Sequence, residues 1–317
     1  MKEGTAMKKL TQQEYAALFA DRGAAIGSGF SISISEPGDF VLPGRKPQTH
    51  KYSYGRALIL AGSVGFSGAP TLAANACEKS GAGLTTLMVP EQIYMIAASR
   101  CDGAVVIPLS GTEDGCAHPD ALQKILPALE KAGACVIGPG FGTGRSSAEI
   151  LRDVLRHAAC PLVLDADALT VCGREPDLLR SCNAPLLLTP HEGEFRRLGG
   201  GVENSRLSGA AGFLAPHPDW TLILKGHGTL VCHQKEIAVN PTGSAAMAKG
   251  GSGDVLCGIL CGLLAQGFDP FWAARCAVYL HGLAGDLAAE ELGEYCVTPS
   301  DIIRYIPKAF RKLPLDR

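Results

Sequence analysis

The sequence predicts an α/β protein, a mostly parallel sheet with helices on both faces. Three observations predict it. From Tyr54 onward, short apolar runs alternate with segments of helical spacing, the order that gives parallel strands joined by crossover helices. The strand-like runs are continuously apolar, as strands buried on both faces require. Small residues dominate, with 39 Gly and only 6% aromatics, which suits close helix–sheet packing.

Before Tyr54 the pattern is weak. Thr11–Arg22 reads as a short amphipathic helix, Phe30–Ser35 as an edge strand and Pro37–Pro47 as turns. Ala57–Ala61 is a buried strand closed by Gly62-Ser63. Ala69–Ser80 is helical and ends at Gly81. Leu84–Val89 is a strand stopped by Pro90, and Ala104–Leu109 is another. Leu122–Lys131 is a helix, Cys135–Ile137 a strand and Ala148–His157 a helix. Leu162–Leu164, Leu186–Leu188 and Thr221–Leu224 are strands, and Glu194–Leu198 begins a helix. Gly228–Cys232 and Glu236–Val239 form a hairpin. Two long helices follow, Asp254–Ala265 and Pro270–Leu292. No linker or repeat interrupts this pattern. The expected organisation is an extension over 1–40 packed on a single domain over 41–317.

Composition removes several classes. A net charge of −2 leaves no electrostatic footprint for nucleic acid. The longest apolar run, Val255–Ala265, is too short to span a bilayer. The first ten residues lack the apolar core of a signal peptide, so the expected location is cytoplasmic. None of the 12 cysteines forms a Cys-x-x-Cys pair, which argues against zinc and thioredoxin-like chemistry. They read as buried thiols in a reducing compartment.

Parallel sheets bind ligands beyond the carboxyl ends of their strands. Five strand ends carry unusual polar and glycine residues: Gly62–Ala69, Gly138–Gly144, Asp165–Leu169, Thr189–Glu194 and Lys225–Thr229. Each alone has a plain reading as a turn or cap; their joint occurrence points to a site. The richest segment is Ala248–Leu256, a glycine turn leading into an apolar helix with Asp254 at the junction. A helix N-terminus has unpaired N–H groups and a partial positive charge, so it can hold a phosphate. A carboxylate there is either a base taking a proton from an attacking hydroxyl or a plain N-cap. No P-loop or nucleophile elbow occurs, and Gly138–Gly144 departs from the dinucleotide fingerprint. Phosphoryl transfer remains, with backbone amides as the anion cradle.

These residues lead to a resemblance. Asn240–Gly243, Gly250–Leu256, Gln266-Gly267, Tyr279–Gly282 and Ala284–Asp286 resemble the ADP/ATP-dependent NAD(P)H-hydrate dehydratases. Leu42–Lys46, His50-Lys51, Tyr54–Arg56, Gly62-Ser63, Asp165–Leu169, Thr189–His191 and Lys225-Gly226 do so as well. The likeness runs from about Leu42 to Pro307 and implies a three-layer αβα, ribokinase-like fold. It implies repair of the hydrates of NADH and NADPH, in which ADP or ATP phosphorylates the ring hydroxyl and phosphate then leaves.

By this resemblance Asp254 is the base, and the amides of Gly251, Ser252 and Gly253 form the anion hole. Lys225, Gly226, His227, Gly228, Thr229 and Gly253 contact the adenine nucleotide. Ala69, Gly140, Gly142, Asp165, His191 and Asp254 contact the hydrated dinucleotide. Glu194 is expected in the shell of a magnesium ion (Mg2+), because His191-x-x-Glu194 falls where sugar kinases carry Asn-x-x-Glu. A homotetramer is also implied. Two departures stand out. Lys249 occupies a position where many relatives carry Thr, and either adds charge near the phosphate or points to solvent. Bifunctional relatives carry an N-terminal epimerase domain, for which roughly forty residues are too few. A stand-alone dehydratase served by a separate epimerase is expected. The rivals are a vitamin or thiazole kinase of the same fold and a nucleotide-binding regulator without turnover.

Overall fold

The apolar runs form strands where expected, in a computed structural model that describes residues 29–202 and 205–316. The helix expected over Thr11–Arg22 lies outside the described residues. In chain order the strands are β1 (Ser31–Ile34), β2 (Leu42–Pro43), β3 (Arg56–Leu60), β4 (Leu84–Pro90), β5 (Val105–Leu109) and β6 (Ala134–Ile137). They continue with β7 (Leu162–Leu164), β8 (Leu186–Leu188), β9 (Thr221–Leu224), β10 (Leu230–His233), β11 (Glu236–Val239) and β12 (Leu315–Asp316). The helices are α1 (Gly68–Lys79), α2 (Tyr94–Arg100), α3 (Leu122–Glu130), α4 (Arg145–His157), α5 (Ala166–Arg174) and α6 (Asp177–Arg180). After them come α7 (Glu192–Arg197), α8 (Arg206–Leu214), α9 (Ser252–Ala265), α10 (Pro270–Leu292) and α11 (Pro299–Phe310). Helices α2, α5, α6, α8 and α11 were not expected from the sequence.

The large sheet runs β1-β11-β10-β9-β8-β7-β6-β3-β4-β5, and β2 pairs with β12. Its pairings are parallel except those of β10 with β9 and β11, which make the expected hairpin. The edge strand expected near Phe30 is β1, held by β11 alone. Side chains alternate across the sheet. Along β3, Ala57 and Ile59 face a layer containing α1, α9, α10 and α11; Leu58 and Leu60 face the layer of α3 to α8. The result is the three-layer αβα arrangement.

Helix α9 is buried nearly all round, with Ser252 and Val255–Ala265 inside. Such a helix needs a smooth face against its neighbour. A Cβ on Gly258 would lie 2.2 Å from the Ala73 carbonyl oxygen of α1, and one on Gly262 2.7 Å from that of Cys77. The two glycines, one turn apart, let the backbones approach and fix where the N-terminus of α9 meets the sheet. Eight of the cysteines are buried, as small apolar residues would be. No helix among the described residues is long and apolar enough to cross a membrane.

Candidate active site

Strands β9, β8, β7, β6 and β3 are neighbours in the sheet and all parallel. Their carboxyl ends therefore open on one side. The five segments singled out in the sequence follow these five strands, so the topology gathers them. Between β6 and β3 the strand order reverses, which opens a crevice for a ligand. A separate hollow beside Arg56, Leu84 and Lys131 lies at the amino ends of β3 and β4 and has no carboxylate in its lining.

The N-terminus of α9 meets this carboxyl edge beside Asp165 and Lys225. Its N-cap is Gly251, in the left-handed region at φ +96, and no side chain caps the helix. A Cβ on Gly251 would also lie 2.8 Å from Leu72 Cδ1. Both facts demand glycine at this turn. Asp254 sits in the first helical turn. It is not the N-cap, and its carboxylate makes no hydrogen bond among the described residues. Burial, followed by the nearby charge of Asp165, pushes Asp254 up to about 7 against the pull of Lys225. A carboxyl with that value is matched to taking a proton near neutral pH.

Lys225, at the end of β9, lies on the other side of this turn. Its Nζ is 2.6 Å from Asp165 Oδ1 and 3.8 Å from Glu194 Oε2. A Cβ on Gly253 would be 3.4 Å from the same ammonium. Asp165 is 1% exposed and also accepts the Thr189 hydroxyl at 2.7 Å. The Cys257 thiol, one turn along α9 from Gly253, meets the same Thr189 hydroxyl at 3.9 Å. Burial alone would raise the Asp165 carboxyl, but Lys225 and Thr189 outweigh it and hold it below the usual range. Burial alone would likewise lower Lys225, and Asp165 reverses it. The ends of β7, β8 and β9 are thus joined by one ion pair. The Asp165 carboxylate, expected to touch substrate, is enclosed by these protein donors.

Backbone strain marks the same place. Ala166, directly after Asp165, has φ +48, a conformation L-residues avoid. It starts α5 so that Asp167 Oδ2 accepts the Gly142 N–H at 2.8 Å. Gly140 is held through its carbonyl by the Ser63 hydroxyl at 2.8 Å. Ala69 lies in the first turn of α1. Gly140 and Gly142 thus follow β6, and Ala69 follows β3, at the two strands between which the order reverses.

The loop 225–229 is shaped by a residue the sequence did not reveal. Arg206 Nη1 donates to the His227 carbonyl at 2.6 Å, and Nη2 to that of Leu224 at 2.9 Å. Its Nε lies 3.4 Å from Glu192 Oε1. Thr229 closes the loop, its hydroxyl donating to the Gly226 carbonyl at 2.9 Å. Gly228 is buried, whereas Gly226 and His227 are exposed. Lys249 Nζ donates to the Tyr295 carbonyl at 2.7 Å, so its charge is directed to the turn after α10.

His191 is the N-cap of α7. Its Nδ1 accepts from the N–H groups of Gly193 and Glu194, and Glu194 Oε2 accepts the His191 N–H at 2.8 Å. This reciprocal capping box explains why Glu194 is 6% exposed. The other oxygen of Glu194 faces His191 Nε2 at 3.4 Å. Oε2 is committed to the capping box and lies 3.8 Å from the Lys225 ammonium, so Glu194 stands at the end of β8 beside the cation of β9. Among the described residues no group of three His, Cys, Asp or Glu is placed to hold a metal.

A family model described as NAD(P)H-hydrate dehydratase matches residues 57–308. The bifunctional NAD(P)H-hydrate repair enzyme of Moorella thermoacetica is 38% identical over 279 residues, covering 86% of this chain and 52% of that protein. The chain spans about half the length of the curated relatives it matches. An ADP/ATP-dependent NAD(P)H-hydrate dehydratase from Bacillus subtilis, co-crystallized with ATP and Mg2+, has a TM-score of 0.69 at 29% identity. That match covers 86% of this chain and 94% of the other. A ribokinase-like superfamily protein from Enterococcus faecalis has a TM-score of 0.78 at 29% identity, covering 89% and 96%. The fold is ribokinase-like, and with the family model spanning most of its length the chain belongs to the NAD(P)H-hydrate dehydratase family.

Proposed function

We propose that this chain removes water from hydrated NADH and NADPH at the expense of ADP or ATP. One observation carries it. A carboxylate that has no hydrogen-bond partner among the described residues stands in the first turn of a helix N-terminus without a side-chain cap, at the carboxyl edge of the sheet. Asp254 takes the proton of the ring hydroxyl as its oxygen attacks the terminal phosphorus of the nucleotide. The bond from that phosphorus to the departing nucleotide breaks. The N–H groups of Gly251, Ser252 and Gly253 steady the phosphoryl group in flight. Phosphate is a far better leaving group than hydroxide. The ring nitrogen's electron pair expels it, and the neighbouring carbon loses a proton to restore the double bond.

The strand ends divide the work. Lys225–Thr229 holds the nucleotide, with Lys225 fixed by Asp165 and the loop by Arg206. Ala69, Gly140, Gly142 and His191 face the dinucleotide from the other loops. Magnesium belongs with the nucleotide phosphates, since it keeps its waters and binds through substrate oxygens. A separate epimerase, a homotetramer and a cytoplasmic location complete the proposal. The domain acting here is 41–317.

The chain supplied with NADH hydrate, ADP or ATP and magnesium is expected to restore the absorbance of the reduced nicotinamide with one inorganic phosphate per turnover. A stable phosphorylated product would instead make it a kinase, and no nucleotide consumption a regulator. Arg206→Met is expected to raise KM for the nucleotide about tenfold with kcat nearly unchanged, because it loosens a binding loop rather than the reacting groups. Steady-state kinetics at varied nucleotide checks this.

A further inference from the structure

The turn that would face the phosphoryl group is built from Gly250, Gly251, Ser252 and Gly253. Three glycines give it no side-chain hold on its surroundings. Ser252 is the one residue of the four with a side chain, and it is 9% exposed. Gly251, not Ser252, is the N-cap of α9, so the hydroxyl is not spent on capping. It meets His281 instead, with Oγ 3.2 Å from Nε2.

His281 comes from the middle of α10, on a stretch that is itself firmly anchored. The Thr242 hydroxyl donates to the Tyr279 carbonyl at 2.9 Å. Asp286 Oδ2 accepts the Gly243 N–H at 2.8 Å. Cβ atoms on Gly282 and Gly285 would lie 2.3 Å from Thr242 Oγ1 and 2.2 Å from Met247 Sδ. The loop leading to the glycine turn is thus seated on the same helical face that presents His281.

We infer that His281 is a positioning residue: it fixes the Ser252 hydroxyl and, through it, the glycine turn whose amides receive the phosphoryl group. This rests on the dehydratase reading above. Burial pushes His281 down to about 4, with Ser252 pulling the other way and the Lys225 charge adding to the depression. The ring is therefore neutral at physiological pH and holds the hydroxyl without shuttling a proton. Amides that stabilise a transition state must be fixed beforehand, so a loosened turn lowers kcat more than it weakens binding.

The test is a double-mutant cycle on the full chain, with thermal unfolding to verify the fold. His281→Ala is expected to lower kcat about tenfold, with KM for the nucleotide changed less than about threefold. His281→Gln, which keeps a nitrogen able to reach the hydroxyl, should recover most of the loss. Ser252→Ala, the smaller change, should show the same fall in kcat, and adding His281→Ala to it should cost nothing further. Wild-type kcat in Ser252→Ala or in folded His281→Ala overturns the inference. So does a full further loss when the two are combined. A wild-type chain inert toward the hydrates would sink the dehydratase reading; an active wild type with unimpaired variants sinks this inference alone.

Discussion

Asp254→Asn is expected to lose about 10²–10⁴-fold in kcat while gaining stability at alkaline pH. Asparagine keeps the shape and cannot take the proton, so nucleotide affinity by calorimetry should stay near wild type. The stability effect follows from the carboxyl's surroundings. Burial and Asp165 raise Asp254 from 3.8 to about 7, so the fold favours the neutral form. A group raised on folding contributes stability that is full below its unfolded value, near 4, and lost as pH rises through 7. Above pH 7 the wild type holds a half-buried charge that the variant lacks. The variant's advantage should be absent near pH 4, grow up to 7 and level off, at on the order of 2 kcal/mol. Denaturant unfolding across this range measures it. Wild-type kcat/KM should fall as pH drops below about 7, where the base becomes protonated. An Asn variant with wild-type turnover, or no stability gain at pH 8.5, contradicts the assignment.

Lys225→Met should be the most destabilising change at the site. Methionine fills similar space but leaves Asp165, 1% exposed, as a buried carboxylate without its cation. Removing one partner of a buried pair costs roughly 3–5 kcal/mol. The sign with pH is opposite to that of Asp254. Asp165 is held below its ordinary value, so the pair's contribution is present above about pH 4 and lost as pH falls through the depressed value. The stability difference between the Lys225→Met variant and the wild-type protein, measured by denaturant unfolding, should be full at pH 7 and shrink below pH 4. A loss of under about 1 kcal/mol at pH 7 would place the pair among ordinary surface bridges.

The strands of the large sheet were legible because short apolar runs, most of them ending in Gly or Pro, have few alternatives in a chain this rich in small residues; the two-residue strands β2 and β12 carry no such run and were not. Most of the helices between β7 and β9 were not. Helix α5 starts at Ala166 in a left-handed conformation that no local pattern announces, and α8 carries Gly209 and Gly212 within nine residues. Helix α11 did have a signal, the Thr298–Asp301 capping box with Pro299 between. At the site, the loops could be read because they follow neighbouring parallel strands. The tethers could not. Arg206 reaches the His227 carbonyl from another element, and Ser252 finds His281 29 positions away. Such contacts depend on which helices share a face, which periodicity does not encode. The direction of Lys249 was equally open until its ammonium was seen on the Tyr295 carbonyl.

In the proposed reaction the ring hydroxyl oxygen is phosphorylated before it leaves. NADH hydrate labelled with oxygen-18 at that hydroxyl, turned over with ATP or ADP, tests it in one measurement. The label is predicted to appear in the released inorganic phosphate, one atom per NADH restored. Unlabelled phosphate with the label in water would contradict the account, because the hydroxyl would then have departed without ever bonding to phosphorus.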